Sequence, residues 1–342
     1  MMLRPYHAFA VSALGIAAAC ATIPAPSGDP AVAVVARAET VPVGTANEDA
    51  ADDPAIWHNA RNPENSLIVA TDKKAGLQVY DLSGKLLFAE SSGAINNVDI
   101  ATLPGGGVIV AASNRNDLAN AAIDLWQLDT ATGALAPLGS VPGGAGEGYG
   151  FCMREAGGSL YAYSVLKDGR IEEYEIILGE ATTVAESLRS LSVPTQAEGC
   201  VVDPRDGTLY VGEETAGIWR FAPGATEGEI VAAIDNAYLV ADVEGLALLP
   251  EGPSGGYLVA SSQGDNAYAV FRLPGMEPLG RFRIADGQFG ATEETDGIEL
   301  KGGSFGAAYP EGLFVAQDGQ NAPAAQNFKL VSWAAIKAAL GL

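Results

Sequence analysis

Histidine is nearly missing from this chain: His7 and His58 are the only two in 342 residues, and His58 alone lies beyond the apolar N-terminal stretch. Zinc, which takes imidazole or thiolate ligands in most protein sites, is thereby excluded as a resident ion. A histidine phosphatase is excluded too, because no Arg-His-Gly run exists. A serine-histidine triad would have to use His58, which follows Trp57 at a strand end and reads better as a surface or satisfied polar side chain. Positive charge is short as well: 19 Lys and Arg stand against 42 Asp and Glu, for a formal net charge of -23. Nucleic acid is not an expected partner, since binding it needs a basic stripe. Such acidity suits a solvated exported protein or a cation binder. Aromatics are only 7% of the chain, but 48% hydrophobic residues suffice for a buried core. Helical periodicity is almost absent: only residues 180–191 (EATTVAESLRSL) and the terminal WAAIKAALGL admit a short helix, with surface connections as the alternative.

Long apolar runs are confined to the start. Arg4 precedes AFAVSALGIAAA, and small residues lead to Cys20, so residues 1–19 read as an export signal, too short to span a membrane. Ala17-Ala18-Ala19-Cys20 resembles a lipobox lacking the usual leucine, which leaves acylation of Cys20 or plain cleavage slightly further on. Residues 20–32 read as a Pro/Ala-rich tether and 33–342 as the folded domain. The expected location is exported: periplasmic, anchored to the outer membrane through Cys20, or secreted. Cys152 and Cys200, in GYGFC and QAEGC, occupy similar positions of neighbouring repeats. In an oxidising compartment they are a candidate disulfide; two buried reduced cysteines are the alternative.

What the chain has in quantity is repetition. Six apolar strands run into polar or charged ends: SLIVATDKK (66–74), GVIVAASNR (107–115), SLYAYSVLK (159–167), TLYVGEE (208–214), YLVASSQGD (257–265) and LFVAQDG (313–319). The ends recur at intervals of about 42 to 54 residues, a period that marks a radially repeated β architecture with one blade per repeat. A second strand follows each, from LQVYDL (77–82) to NFKLVSW (327–333), and another precedes each: DDPAIW (52–57), NNVDIATL (96–103), YGFCM (149–153), AEGCVVD (197–203), DVEGLALL (242–249) and TDGIEL (295–300). The expected fold is all-β, a six-bladed propeller of four-stranded antiparallel blades. Its ring is closed by AVVARAETVPV (33–43) pairing with the last blade. A closed ring needs no partner for stability, so a monomer is expected.

In antiparallel pairs, the start of one strand shares an edge with the end of its partner. Asp52, Asp53, Asn97, Asp99, Tyr149, Glu198, Asp242, Glu244 and Asp296 are therefore expected to meet Lys73, Lys74, Arg115, Lys167, Glu213, Gln263, Gln317 and Asp318 on one rim. Alone, Asp52-Asp53-Pro54 and Gln317-Asp318-Gly319 would be ordinary turns, and Tyr149 core packing; the shared repeat phase favours the rim. Crowded carboxylates repel unless protonated or bridged by metal. Hard oxygen ligands select calcium or magnesium, and flexible loops favour calcium.

The runs DAADDPAIW, TDKKAGLQVYDLSGK, NNVDI, SNR, YGF, QAEGC, GEE, ADVEGL, SSQG, ETDGIEL, YPEGLFVAQDG and QNFKLVSW resemble, in order and spacing, the β-propeller phytases, over about residues 38–333. The resemblance implies a six-bladed propeller whose central face binds several calcium ions and hydrolyses phytate, myo-inositol hexakisphosphate, one phosphate at a time. It implies that Lys73, Arg115, Tyr149 and Lys167 hold the phosphate being cleaved, and that Glu198, Glu213, Asp242, Glu244 and Gln263 ligate the catalytic calcium, with Glu213 central to catalysis. Asp52 and Asp53 become further rim ligands. Lys74, Asn97 and Asp99, with Arg115, fall near a second, non-cleaving phosphate subsite. Glu39, Asp286, Asp296, Gln317 and Asp318 align with calcium sites that stabilise the fold. Two departures from the family pattern stand out: Asn116-Asp117 after SNR, an extra carboxylate expected to weaken the second subsite, and a short loop from Asp286 to Asp296. The expected chemistry is in-line attack by a metal-held water without a phosphoenzyme. The alternatives are a calcium-dependent six-bladed lactonase, which has little use for three cations aimed at one centre, and a non-catalytic propeller that binds phosphorylated ligands.

Overall fold

The computed structural model describes residues 27–179 and 182–342, and in it each repeat folds as one antiparallel sheet. The innermost strands are Ala51–Trp57, Ile95–Thr102, Gly148–Ala156, Ala197–Val202, Val243–Glu251 and Ile298–Gly302, and they neighbour one another in a closed circle. Numbered from the first of these, the six blades form the expected propeller. The strands next to them read as unbroken apolar runs because a blade is covered on both faces by its neighbours; Leu67–Asp72, for example, is buried along its whole length. Six apolar clusters fill the six blade junctions. Between blades 1 and 2, Leu77 and Val79 meet Val110 and Trp126. Burying each such side chain contributes about 1.5–3 kcal/mol.

The ring closes as expected. Ala38–Glu39 pairs antiparallel with Leu330 and Lys329 and becomes the outermost strand of blade 6. Upstream of it, Val32–Val35 adds a fifth strand to blade 5, parallel to residues 282–285. Gly28 donates to Asp265 Oδ2 (2.9 Å) and Asp29 to the Ala237 carbonyl (2.7 Å), so the chain is docked on blade 5 before residue 33. The helix considered for residues 180–191 is a strand: Thr183–Ser192 pairs with Arg170–Leu178 as the outer edge of blade 3. There, ladder hydrogen bonds outweigh a modest helix propensity. The terminal run does form a helix, Trp333–Leu340, which buries Trp333 and Ile336. Among the described residues no helix is long and apolar enough to cross a membrane. The signal at 1–19 and Cys20 lie outside the described residues.

Cys152 and Cys200 are disulfide-bonded across the junction of blades 3 and 4, with Cα atoms 5.7 Å apart and a sequence separation of 48. A link closing that length of chain restricts the unfolded ensemble by about 3–4 kcal/mol. Replacing both cysteines with serine is expected to lower the guanidinium midpoint by a corresponding amount. An unchanged midpoint relative to the oxidised wild type would count against a structural role.

Candidate functional site

In five of the six blades the innermost strand slips against its neighbour at the same end: between Ala51 and Pro54, Ile95 and Val98, Gly148 and Phe151, Ala197 and Cys200, and Val243 and Leu246. Such bulges free two residues from the ladder and re-aim their side chains. The first of each pair is Asp52, Asn96, Tyr149, Glu198 or Glu244, and Asp296 holds the same place ahead of Ile298 in blade 6. The second is often glycine, for a steric reason. A Cβ on Gly150 would stand 1.8 Å from the Glu198 carbonyl oxygen, and one on Gly199 2.1 Å from that of Glu244. Neighbouring inner strands thus interlock, and the six preceding side chains converge on the axis.

The second strands deliver the partners. The backbone amides of Lys73, Arg115, Lys167, Glu214 and Gln263 donate to the carbonyls of Ala50, Ala94, Glu147, Gln196 and Asp242, one blade after another. Blade 4 therefore contributes Glu214 to the rim, not Glu213. Glu213 faces away from it: one carboxylate oxygen accepts from Thr195 N at 2.7 Å and from the Thr195 hydroxyl, and the other accepts from Trp219 Nε1 at 2.7 Å. Successive strand residues point to opposite faces, so a slip of one position exchanges the two glutamates.

Glu198, Glu214 and Glu244 are all buried, and a carboxylate oxygen from each lies within 4.8 Å of those of the other two. Burial, then the carboxylates of Asp52 and Asp296, hold the Glu198 carboxyl well above the usual range. Burial and Glu198 do the same to Glu244. Asp242, half-buried, adds its charge to both Glu214 and Glu244. Asp296 is pushed up to about 8 by burial and Asp52, against the pull of Lys73. Around this group Asp52 Oδ2, Asn96 Oδ1 and Glu244 Oε2 are buried without any hydrogen-bond partner. Buried oxygens left unsatisfied are costly in a native fold. The donor set is all oxygen, with neither histidine nor cysteine, and fits a hard divalent cation. Asn96, one residue from the expected Asn97, donates to Glu198 Oε1 at 2.5 Å and belongs to this arc.

The other arc is cationic. Lys73 is buried among Asp49 (2.8 Å), Asp52 (2.9 Å) and Asp296 (3.0 Å). Burial favours its neutral form, but Asp52 and Asp296 outweigh this and hold the ammonium charged. Arg115 and Lys167 flank Tyr149, with the guanidinium carbon 5.8 Å and the ammonium 5.0 Å from the ring centroid. Burial and the charge of Glu198 keep the Tyr149 hydroxyl protonated. Gln196 ties the arcs together, donating to Glu214 Oε1 (2.6 Å) and to Tyr149 Oη (3.3 Å). Gln263 donates to Asp296 Oδ1 at 2.7 Å. A cavity of about 870 Å³ opens beside Lys73, lined by Asp49, Gln263, Glu293, Glu294 and Asp296 among others. One ring thus presents a carboxylate arc beside a cationic one.

A family model described as Phytase matches residues 5–342. The chain belongs to the phytase family. A 3-phytase of Bacillus subtilis (strain 168) is 39% identical over 328 residues, covering 90% of this chain and 85% of the relative.

Several expected site residues of this phytase-family chain lie elsewhere. Asp53, the second residue of its bulge, and Asp99, just past the next one, each staple the following blade: Val98 N donates to Asp53 Oδ2 (3.0 Å) and Met153 N to Asp99 Oδ2 (2.8 Å). Asp99 is therefore not beside a rim phosphate. Asn97 is buried, its backbone N–H donating to the Ser113 hydroxyl oxygen (3.0 Å), and it braces the inner strand beside Asn96. Lys74 is exposed at the strand end. Gln317 spends its amide on backbone, accepting from Asp296 N (2.9 Å) and donating to the Ala51 carbonyl (3.1 Å). Glu39 and Asp318 are not free cation ligands, because the buried Lys329 ammonium lies between them at 2.5 and 3.1 Å. Asp286 is exposed and accepts from Ala291 N within its own loop. Asp117 does not burden Arg115, since its oxygens accept from Ala119 N and Asn120 Nδ2. His58 meets the Ser304 carbonyl at 2.9 Å, a satisfied polar side chain.

Glu299, farther along the channel, carries no signal in the sequence pattern that sets it apart from a solvated strand residue. Burial pushes its carboxyl up to about 8, aided by Asp99 and opposed by Lys301, and burial takes Asp99 up to about 6. Both groups hold protons in the folded chain that the unfolded chain has released, so stability falls as pH rises from the ordinary carboxylate range through about 8. Glu299→Gln is expected to flatten this slope, sparing on the order of 2 kcal/mol at pH 8.5 after allowance for channel water. Urea midpoints at pH 5.5, 7 and 8.5 measure it; parallel slopes for variant and wild type would refute the assignment.

Proposed function

We propose that this chain hydrolyses phosphate monoesters of phytate with calcium, using the carboxylate arc to hold the metal and the Tyr149 arc to hold the scissile phosphate. The observation that carries this reading is the division of one six-fold ring into two chemistries. A scaffold alone has no need to bury Glu198, Glu214 and Glu244 together while aiming Arg115 and Lys167 across one tyrosine. Asp52, Glu198, Glu214, Asp242 and Glu244 are the residues that would hold calcium, with Asn96 and Gln263 supplying amide oxygens. Bound calcium would supply the positive charge that lets a polyanion approach an acidic face, and it would lower the pKa of a nearby water. Arg115 grips peripheral phosphate oxygens in a bidentate manner and Lys167 offsets their charge. Tyr149, kept protonated, donates a hydrogen bond. Lys73 neutralises the edge where Asp52 and Asp296 meet.

The sequence supports export, with residues 1–19 as the signal and Cys20 as an acylation point, and a ring of blades closed on itself supports a monomer. The test is release of inorganic phosphate from phytate by the calcium-loaded protein. Release is expected, and Arg115→Ala is expected to lower kcat/KM by about 10²–10³-fold. A calcium-loaded wild type that frees no phosphate overturns the reading.

A further inference from the structure

Glu147 stands where the two phosphate-facing cations meet. Its Oε1 lies 3.4 Å from Arg115 Nη1 and 3.7 Å from Lys167 Nζ. The backbone enforces this placement: Gly146 N donates to the Ala119 carbonyl at 2.8 Å, and Lys167 N donates to the carbonyl of Glu147 itself at 3.1 Å. The residue occupies the short link between the outer strand of blade 2, Leu135–Ala145, and the inner strand of blade 3, Gly148–Ala156. It is therefore held between the blade that carries Arg115 and the blade that carries Lys167. Two cations sharing one aromatic ring repel each other, and a carboxylate in contact with both offsets that repulsion. The Glu147 and Lys167 side chains are 25% and 41% exposed, so an anion arriving from solvent reaches the cations and the carboxylate together.

We infer that Glu147 is a positioning residue of the phosphate subsite, holding Arg115 and Lys167 in register between turnovers and competing with phosphate for them. This rests on the assignment of those two cations to phosphate. Because the carboxylate and the phosphate are like charges drawn to the same groups, Glu147 weakens anion retention and hastens product release. Removing its charge while keeping its shape tightens the hold on phosphate. A residue with a purely structural part would, when altered, loosen it.

Titration of calcium-loaded wild type, Glu147→Gln and Glu147→Asp with inorganic phosphate, read by calorimetry and as product inhibition of phytate hydrolysis, tests the inference. Glu147→Gln is expected to bind phosphate about three- to tenfold more tightly, as one charge at this range in a half-solvated site dictates. KM for phytate falls with it, and kcat falls where release limits turnover. Glu147→Asp keeps the charge and stays near wild type. Raising the salt concentration narrows the gap between Gln variant and wild type, because screening acts on the charge alone. If the wild type binds phosphate and Glu147→Gln binds it equally or more weakly, with an unchanged melting temperature, the inference is overturned while the assignment of Arg115 and Lys167 stands. If calcium-loaded wild type binds no phosphate, both are overturned.

Discussion

Glu214→Gln is expected to reduce phosphate release from phytate by about 10³-fold or more, whereas Glu213→Gln should leave kcat within about threefold of wild type. The two residues are adjacent in sequence and opposite in role. Glu214 faces Glu198 and Glu244 within the buried carboxylate group, and its amide partner Gln196 reaches Tyr149 in the cationic arc. Neutralising it removes a charge from the cation-holding set and disturbs Gln196, a side chain that spans both arcs. Glu213 instead accepts from Thr195 and from the Trp219 indole. A glutamine there still accepts from Thr195, but its second terminal atom is a donor facing the Trp219 donor. One buried hydrogen bond is lost, for about 1–2 kcal/mol of stability. Steady-state kinetics and thermal melts of the two variants separate the roles. Equal losses of activity in both would contradict this register, and loss in Glu213→Gln alone would reverse it.

Chelation of calcium is expected to abolish turnover and lower the melting temperature by about 5–10 °C, the size expected when ions bound well above their dissociation constants are withdrawn from a domain of this length. The reason lies in the same arc. Glu198, Glu244 and Asp296 are each raised by burial and then by a neighbouring carboxylate, Asp52 for Glu198 and Asp296, and Glu198 for Glu244, and Lys73 is the one cation paired with Asp49, Asp52 and Asp296 among the described residues. Metal-free, these carboxylates repel at close range and leave Asp52 Oδ2 and Glu244 Oε2 without partners. Glu244→Gln relieves part of that repulsion. It should melt higher than wild type in chelator, lower than wild type in calcium, and have little activity in either. Melting curves with and without chelator test both statements. A wild type that melts identically in the two conditions would remove the metal from the account of stability, and full activity in chelator would remove it from catalysis.

Much of the fold was legible because a propeller imposes the same environment on each repeat. A second strand buried on both faces must be apolar throughout, and it must become polar where it leaves the ring, so SLIVATDKK and YLVASSQGD look alike for a physical reason. The edge strand Thr183–Ser192 was not legible, since its partner rather than its composition makes it a strand. For the second strands and the bulged inner ends, the register was legible only to within one residue. Where a pair was chemically uniform, as in Glu213-Glu214 or Asn96-Asn97, nothing in the letters says which member faces the axis. Asp53 and Asp99 share the acidity of the rim but follow the axial residue of each bulge, where they accept from the next blade's amides. Glu147 sits in a link between blades, outside the repeating phase on which the sequence pattern depends.

The amino-acid sequence by itself determined the six repeats and the chemistry on offer: oxygen donors in excess, few cations, and almost no imidazole. Those follow from composition and period, which folding does not alter. Only the tertiary structure decided which groups confront one another. Bulges at the inner strand ends and hydrogen bonds between neighbouring blades set the register, and a shift of one residue turns a side chain to the other face. Because a hard cation is held only by oxygens in direct contact with it, that single residue separates a carboxylate able to hold a cation with Glu198 and Glu244 from one that braces a threonine and a tryptophan.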